Sequence, residues 1–109
     1  MTLTVTHVVS CDIWAGAEVQ VFQLINALHQ SENIRATAIL FNPGILADKL
    51  ESAGVPVTVA NESKCSALQI IRFIRDHIRT NESDIVHTHG FKENILGVAG
   101  QRLAGNAKN

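Results

Sequence analysis

The sequence alternates between strand-like and helix-like segments, and two of its strand-to-helix turns have a similar composition. Near the start, the β-branched run Thr4–Ser10 leads through the small residues Ala15–Ala17 into a helical pattern. Near the end, the apolar run Asp84–Thr88 leads through His89–Gly90 into another helical pattern. Ligands of parallel α/β folds bind beyond the carboxyl ends of the strands, so these two turns predict a ligand cleft.

The periodicity of apolar residues predicts the order β-α-β-α-β-α-β-α with short connections. Such an alternation is typical of a parallel sheet with right-handed crossovers, and the near-continuous apolar strands indicate that both faces of the sheet are covered. The sequence therefore predicts a three-layer, Rossmann-like α/β domain over residues 1–109, with a sheet of about four strands and helices on both faces. The predicted strands are Thr4–Ser10, Arg35–Phe41, Val55–Ala60 and Asp84–Thr88.

Signals at the ends of the predicted segments set several local expectations. Asn42 is placed to cap the second helix, and Gly54 is placed to end it in a left-handed conformation. Pro56 cannot donate a ladder hydrogen bond, so we expect it either at the start of the third strand or in a strand at the edge of the sheet. Ser66 and Gln69 have the spacing of a capping box at the head of the third helix.

The later helices have further expected roles. Small residues in the fourth helix are expected to permit a close approach to the sheet; they are Gly97, Gly100 and Ala104. The buried stripe of the third helix is expected to contain Ala67, Ile71, Ile74 and Ile78. His29 and His77 lie near helix carboxyl ends, where a positive imidazole suits the helix dipole.

Composition excludes several classes of protein. The 109 residues carry a net charge of −1 without a basic run, which gives no electrostatic indication of binding to nucleic acid or to an anionic membrane. No apolar stretch has the length of a membrane span, and no signal peptide is evident. Cys11 and Cys65 are too few for a disulfide framework. A reducing, cytoplasmic setting without a bound cofactor is the simplest expectation.

The two turns differ in the chemistry that they offer. Gly16, between Ala15 and Ala17, starts a helix whose free N–H groups attract phosphate, although G-x-G-x-x-G and a P-loop lysine are both missing; a tight turn that needs small residues is the alternative. His89 at a strand tip can exchange hydrogen bonds or change charge near neutral pH. His7 and His87 are expected to be structural, and a metal site is disfavoured because no carboxylate or cysteine accompanies the histidines.

Several of these residues resemble the N-terminal part of the family 4 (group 1) retaining glycosyltransferases, which have the GT-B fold. Members carry a Gly-Gly-Ala-Glu-like turn after the first strand, which here reads Ala15–Glu18. They also carry a strand of the form Asp-Ile-Val-His-x-His-Gly, which here is Asp84–Gly90, and a following helix that ends in Arg-Leu-x-Gly, which here is Arg102–Gly105. Ala15 departs from the family pattern, because a glycine is usual at that position.

The resemblance implies half of a GT-B enzyme. In the family, the N-terminal domain mostly binds the acceptor, and a C-terminal domain, absent from this sequence, binds the donor. The Gly16 turn would face the phosphates of a nucleotide-sugar donor, while His89 and Gly90 would line the side of a sugar or lipid-linked acceptor. The parent protein would transfer sugar with retention, and this chain alone would be inactive. The fourth strand, internal in the family, would become an open edge that favours self-association.

Two other hypotheses about the function of the chain stay open. The chain would alternatively be a self-contained nucleotide- or phosphate-binding module, or a receiver-like or flavodoxin-like signalling domain. A signalling domain of this kind would have an acidic cluster or a flavin-phosphate loop after the first strand, and Asp12 alone gives this hypothesis little support. A reading frame that continues past Asn109 into another Rossmann-like domain would favour the glycosyltransferase, whereas a stop codon there would favour the module.

Overall fold

A computed structural model describes residues 2–10, 16–88, 99–100 and 102–104 of the chain. It contains seven regular elements in these ranges, and strands and helices alternate strictly along the chain. The strands are β1 (Leu3–Val9), β2 (Ile34–Leu40), β3 (Val57–Val59) and β4 (Ile85–Thr88). The helices are α1 (Gly16–His29), α2 (Ile45–Ser52) and α3 (Ala67–Asn81). Residues 99–100 and 102–104 are also helical.

The four strands form one parallel sheet in the order β3-β2-β1-β4. The predicted α/β Rossmann-like sheet is therefore confirmed. The short strand β3 follows Pro56 at one edge of the described sheet, as the proline predicted. Strand β4 forms the opposite edge of the described sheet, and self-association through it stays a prediction that sedimentation equilibrium would test.

Apolar cores cover both faces of the sheet, which gives three layers. Successive strand residues point to opposite faces, so Val9 packs with α1 and α2 while its neighbour Val8 packs with α3. Within the described residues, the core on the first face contains Val9, Ile25, Ala36, Ala38, Leu40, Leu46, Ala47, Leu50 and Val55. The core on the second face contains Val8, Ile39, Phe41, Ala60, Ile70, Ile74, Ile78 and Val86.

The helix ends confirm two local predictions and correct one. Gly54 follows α2 with a φ of 85°, a left-handed conformation that glycine adopts without strain, as predicted. The capping box is also confirmed: Gln69 N donates to Ser66 Oγ at 3.3 Å, and Ser66 N donates to Gln69 Oε1 at 2.8 Å. Asn42 was expected to cap α2, but this expectation is wrong because α2 begins later and its N-cap residue is Gly44.

The packing of α3 differs from the prediction in two ways. Its buried residues are Ile70, Ile74, His77 and Ile78, whereas Ala67 is exposed, so the buried stripe is rotated from the predicted one. Gly100 does allow a close approach, but the neighbour is α3 and not the sheet. A Cβ atom built on Gly100 would lie 2.7 Å from the Cβ of Ile74, which leaves no room for a larger residue. Gly97 lies outside the described residues.

A buried polar network links α3 to three strands of the sheet. Thr37 on β2 lies at its centre, because its Oγ1 is 2.7 Å from Thr6 Oγ1 and 2.9 Å from His77 Nε2. His77 Nδ1 lies 2.7 Å from Thr58 Oγ1, and the Thr6 hydroxyl also hydrogen-bonds with that of Ser83. A neutral imidazole has one donor and one acceptor nitrogen, which suits two hydroxyl partners.

The setting of His77 overturns the expectation that it is a positive residue at a helix end. Burial, with a further contribution from the Arg35 guanidinium, lowers the pKa of His77 to about 4. The imidazole is therefore neutral near pH 7, and it stabilises the fold through hydrogen bonds and not through the helix dipole. Arg35 itself is held by Asn81, to whose Oδ1 its guanidinium donates at 3.0 Å.

Candidate functional site

The order of the strands creates a switch point between β1 and β4. From β1 the chain proceeds outward to β2 and β3 on one side, and then returns to place β4 on the other side of β1. The two strands run parallel, with Val8 opposite Thr88 near their carboxyl ends. Helices that leave neighbouring strands at such a point pass to opposite faces of the sheet, which opens a crevice for ligands at the carboxyl edge.

Gly16 follows β1, one of the two strands at this switch point. It is the first residue of α1, seven positions after the last residue of β1 along the chain, and Ala17 belongs to the first turn of the same helix. The first N–H groups of a helix have no partner within it and mark the positive end of its dipole. This end of α1 therefore has the polarity that an anionic group requires. The predicted site residues Ala15, His89 and Gly90 lie outside the described residues.

The structure brings together the two strand ends from which the predicted site residues emerge. Because β1 and β4 are paired, Val9, which leads toward Gly16, and Thr88, which leads toward His89, end at the same edge of the sheet. The opposite result, with the two turns on different sides of the molecule, would have excluded a shared cleft. The geometry of the described residues agrees with a single crevice at the carboxyl edge.

Two polar residues at this edge were not expected to belong to the site. Ser10 follows β1, and its Oγ donates to Oδ1 of Asn42, just beyond β2, at 3.4 Å. Asn42 was assigned to a helix cap because asparagine before proline is typical of one. The signal that identifies its position is the strand order, because residues that follow neighbouring parallel strands meet at one edge.

His7 and His87 lie opposite each other near these strand ends, on the α1 face of the sheet. His7 is fully buried, as a structural role requires, and its ring centroid lies 5.3 Å from that of His87 with the planes tilted by 49°. His87 was also expected to be structural, but its side chain is exposed and does not belong to the core. The reason is the position of β4 at the edge of the described sheet, where a strand has a neighbour on one side only.

The described residues do not add a metal site or a membrane span. Within residues 2–10, 16–88, 99–100 and 102–104, no three His, Cys, Asp or Glu side chains lie close enough together to hold a metal ion. In the same part of the chain, every helix is too short or too polar to cross a bilayer.

Comparison with known proteins identifies the fold. The sequence matches no protein-family model and no curated protein. A glycosyltransferase from Rickettsia africae ESF-5 aligns with 97% of this chain at 17% identity, with a TM-score of 0.76. MurG from Acinetobacter baumannii aligns with 94% of this chain at 14% identity, with a TM-score of 0.66. At these identities the likeness shows a shared α/β Rossmann-like fold. The chain spans 28% and 33% of the lengths of these two proteins.

Proposed function

We propose that this chain is the acceptor-side half of a GT-B glycosyltransferase of family 4 (group 1), which transfers a sugar with retention from a nucleotide-sugar donor to a sugar or lipid-linked acceptor. In this proposal residues 1–109 form one Rossmann-like domain, and a second domain contributes the donor site. The chain alone is then inactive, because it holds only one wall of the cleft.

The switch point between β1 and β4 is the observation that carries this proposal. It places the beginning of α1 and the end of β4 at one edge of the sheet, where ligands of such folds bind. The two similar structures support the assignment to glycosyl transfer, because both are glycosyltransferases and this chain aligns with about a third of each or less. Fold alone does not determine chemistry, so the reaction requires a direct test.

Each predicted site residue has a role in this proposal. The N–H groups at Gly16, flanked by the small residues Ala15 and Ala17, face the phosphates of the donor across the cleft. His89 hydrogen-bonds with an acceptor hydroxyl, and Gly90 permits the acceptor to approach the backbone. The roles separate phosphate binding on the β1 side from hydroxyl binding on the β4 side.

Amide NMR titration of the 109-residue chain tests the proposal. A panel of nucleotide sugars is expected to shift the resonances of Ser10, Gly16 and Thr88 at the carboxyl edge. Resonances at the amino ends of the strands, such as those of Leu3 and Ile34, are expected to stay in place. Shifts confined to the amino ends, or no shifts with any donor or acceptor, would contradict the proposed cleft.

Two variants distinguish a loss of acceptor binding from a general effect on the fold. His89→Ala is expected to weaken binding of sugar acceptors, whereas His29→Ala, at the far end of α1, is expected to leave it unchanged. Incubation of the chain with donors and acceptors together is expected to give no product. Turnover by the isolated chain would refute the proposal that it holds only half of the active site. Tight binding of a nucleotide without any response to acceptors would favour the alternative of a self-contained nucleotide-binding module.

A further inference from the structure

The tripeptide Asn-Glu-Ser occurs twice in the sequence, at residues 61–63 and again at residues 81–83. An asparagine that is followed two residues later by serine matches the acceptor pattern for N-linked glycosylation. The first copy lies in the loop between β3 and α3, and the second runs from the last residue of α3 toward β4. Because the two copies are identical in sequence, the structure around each one decides how accessible it is.

The second copy is part of the packed structure. Asn81 uses both ends of its amide, because Nδ2 donates to the His77 carbonyl at 3.0 Å and Oδ1 accepts from the Arg35 guanidinium at 3.0 Å. Ser83 is 1% exposed, and its hydroxyl hydrogen-bonds with that of Thr6 in the polar network of the sheet. The amide nitrogen that would carry a sugar is therefore already bonded, and the serine is closed to a modifying enzyme.

The first copy forms a local turn on the surface. Asn61 Oδ1 accepts from the backbone N–H of Ser63 at 3.1 Å and from the Ser63 hydroxyl at 2.7 Å. A backbone N–H can only donate, so this contact turns the amide oxygen of Asn61 toward Ser63 and the amide nitrogen away from it. Ser63 is exposed, and Nδ2 of Asn61 donates no hydrogen bond within the described residues and is open to solvent.

Backbone hydrogen bonds hold this turn in place on both sides. Glu62 N donates to the Phe41 carbonyl at 2.8 Å, and Lys64 N donates to the Asn61 carbonyl at 3.0 Å. The turn is therefore presented in one conformation just beyond the carboxyl end of β3. An enzyme can reach the Asn61 amide there without unfolding the chain.

We propose that Asn61 is an acceptor of N-linked glycosylation in the folded chain and that Asn81 is not. The donor is a sugar whose anomeric carbon carries a diphosphate leaving group, as in a nucleotide sugar or a lipid-linked oligosaccharide. Nδ2 of Asn61 forms a bond to the anomeric carbon, the bond from that carbon to the diphosphate oxygen breaks, and the diphosphate leaves with the electron pair. The amide nitrogen gives up one proton to a base of the modifying enzyme. This modification does not depend on the proposed transfer of sugar by the parent protein.

Glycosylation of the folded 109-residue chain tests this proposal in two reactions. One reaction uses a soluble N-glycosyltransferase with a nucleotide-activated hexose, and the other uses an oligosaccharyltransferase with a lipid-linked oligosaccharide. Trypsin cuts after lysine and arginine, so Asn61 is recovered in the peptide 50–64 and Asn81 in the peptide 80–92. Mass spectrometry is expected to find sugar on the first peptide only, and the reaction that succeeds identifies the class of donor. Similar amounts of sugar on both peptides, or no sugar in either reaction, would overturn the proposal.

The same two peptides, synthesised and unfolded, show whether the fold makes the difference. Both are expected to accept sugar at similar rates, because each presents the same tripeptide. In the folded chain Asn61 is expected to be favoured about tenfold or more, because the hydrogen bonds of Asn81 have to open before its amide can react. An equal preference for the peptide 50–64 in the unfolded peptides would assign the difference to flanking sequence and overturn the structural argument.

Variants of the first copy test the role of its hydroxyl. Ser63→Ala is expected to lower modification of Asn61 about tenfold or more, because it removes the hydroxyl that donates to the amide oxygen. Ser63→Thr keeps a hydroxyl and is expected to restore modification, and Glu62→Gln changes the middle residue and is expected to leave it unchanged. Asn61→Gln is expected to abolish it. Urea unfolding checks that each variant folds. Full modification of Ser63→Ala or of Asn61→Gln would overturn the assignment to this turn.

Discussion

The two faces of the sheet are packed with different kinds of contact. On the α1 and α2 face, the fully buried side chains of the described residues are apolar except for His7. On the α3 face, an apolar core of similar size surrounds the hydroxyl and imidazole network centred on Thr37 and His77. The stability of the first face therefore depends mainly on how closely its apolar side chains pack. The stability of the second face also depends on hydrogen bonds and on the protonation state of one histidine.

The largest expected effect is a loss of core packing, and it is expected to be similar on the two faces of the sheet. Leu50→Ala on the α2 side and Ile74→Ala on the α3 side each remove a side chain with no exposed surface. Each substitution is expected to lower the free energy of unfolding by about 2–5 kcal/mol, from lost apolar burial and the cavity that remains. Urea unfolding at neutral pH measures both losses. A loss below about 1 kcal/mol on either face would mean that the core there is not packed as described.

Acid is expected to distinguish the two faces through His77. In the unfolded chain this imidazole binds a proton near pH 6.5, but in the fold it does so only near pH 4. Between these values the unfolded state binds more protons, so the stabilisation is complete above pH 6.5 and is lost as the pH falls toward 4. The contribution of His77 is expected to fall by about 2 kcal/mol between about pH 7 and pH 5.

The pH effect is measured by urea unfolding of the wild-type chain and of His77→Gln at several pH values. The glutamine variant keeps a polar side chain but has no group that titrates in this range, so the difference between the two curves isolates His77. Parallel curves for the two chains would show that His77 is already accessible to protons in the fold.

Thr37→Val is expected to produce the next largest effect without changing the volume of the core. The substitution removes the hydroxyl that hydrogen-bonds with both Thr6 and His77, and it leaves buried polar atoms without that partner. The expected loss is about 1–2 kcal/mol. Thr4→Val is the matched control, because Thr4 is a buried residue of β1 whose side chain lies outside the network. A similar loss for the two variants would indicate a general cost of replacing threonine in this sheet.

The α1 and α2 face could be predicted from the sequence more fully than the α3 face. Apolar residues at strand and helix spacing define a face that is held by burial alone, so the periodicity gave the order of the elements and both layers of helices. The network was missed because each member has an ordinary local explanation. Thr6, Thr37 and Thr58 are typical strand residues, and His77 near a helix end suggests a dipole contact.

The sequence predicted the parts of the candidate site, but their positions relative to one another depend on the order of the strands in the sheet. The composition of the two turns indicated strand ends that bind ligands, but their adjacency depends on the pairing of β1 with β4, a contact between residues about 80 positions apart. Ser10 and Asn42 became neighbours through a second pairing, that of β1 with β2. Asn42 has a plausible local role before Pro43, and only the tertiary pairing shows that α2 begins beyond it.

The smallest expected effect concerns how the helices on the two faces begin. The start of α3 is fixed by side chains, since Ser66 and Gln69 satisfy each other's backbone N–H groups, whereas α2 begins at Gly44 without a side-chain cap in the described part of the chain. Ser66→Ala is therefore expected to lower the free energy of unfolding by about 1 kcal/mol. Ser52→Ala, on the exposed last turn of α2, is expected to change it by less than about 0.5 kcal/mol. Chemical unfolding compares the two variants, and hydrogen exchange of the Gln69 amide reports the cap directly. Unchanged protection of this amide in Ser66→Ala would show that the first turn of α3 is held by its packing on the sheet and not by the capping box.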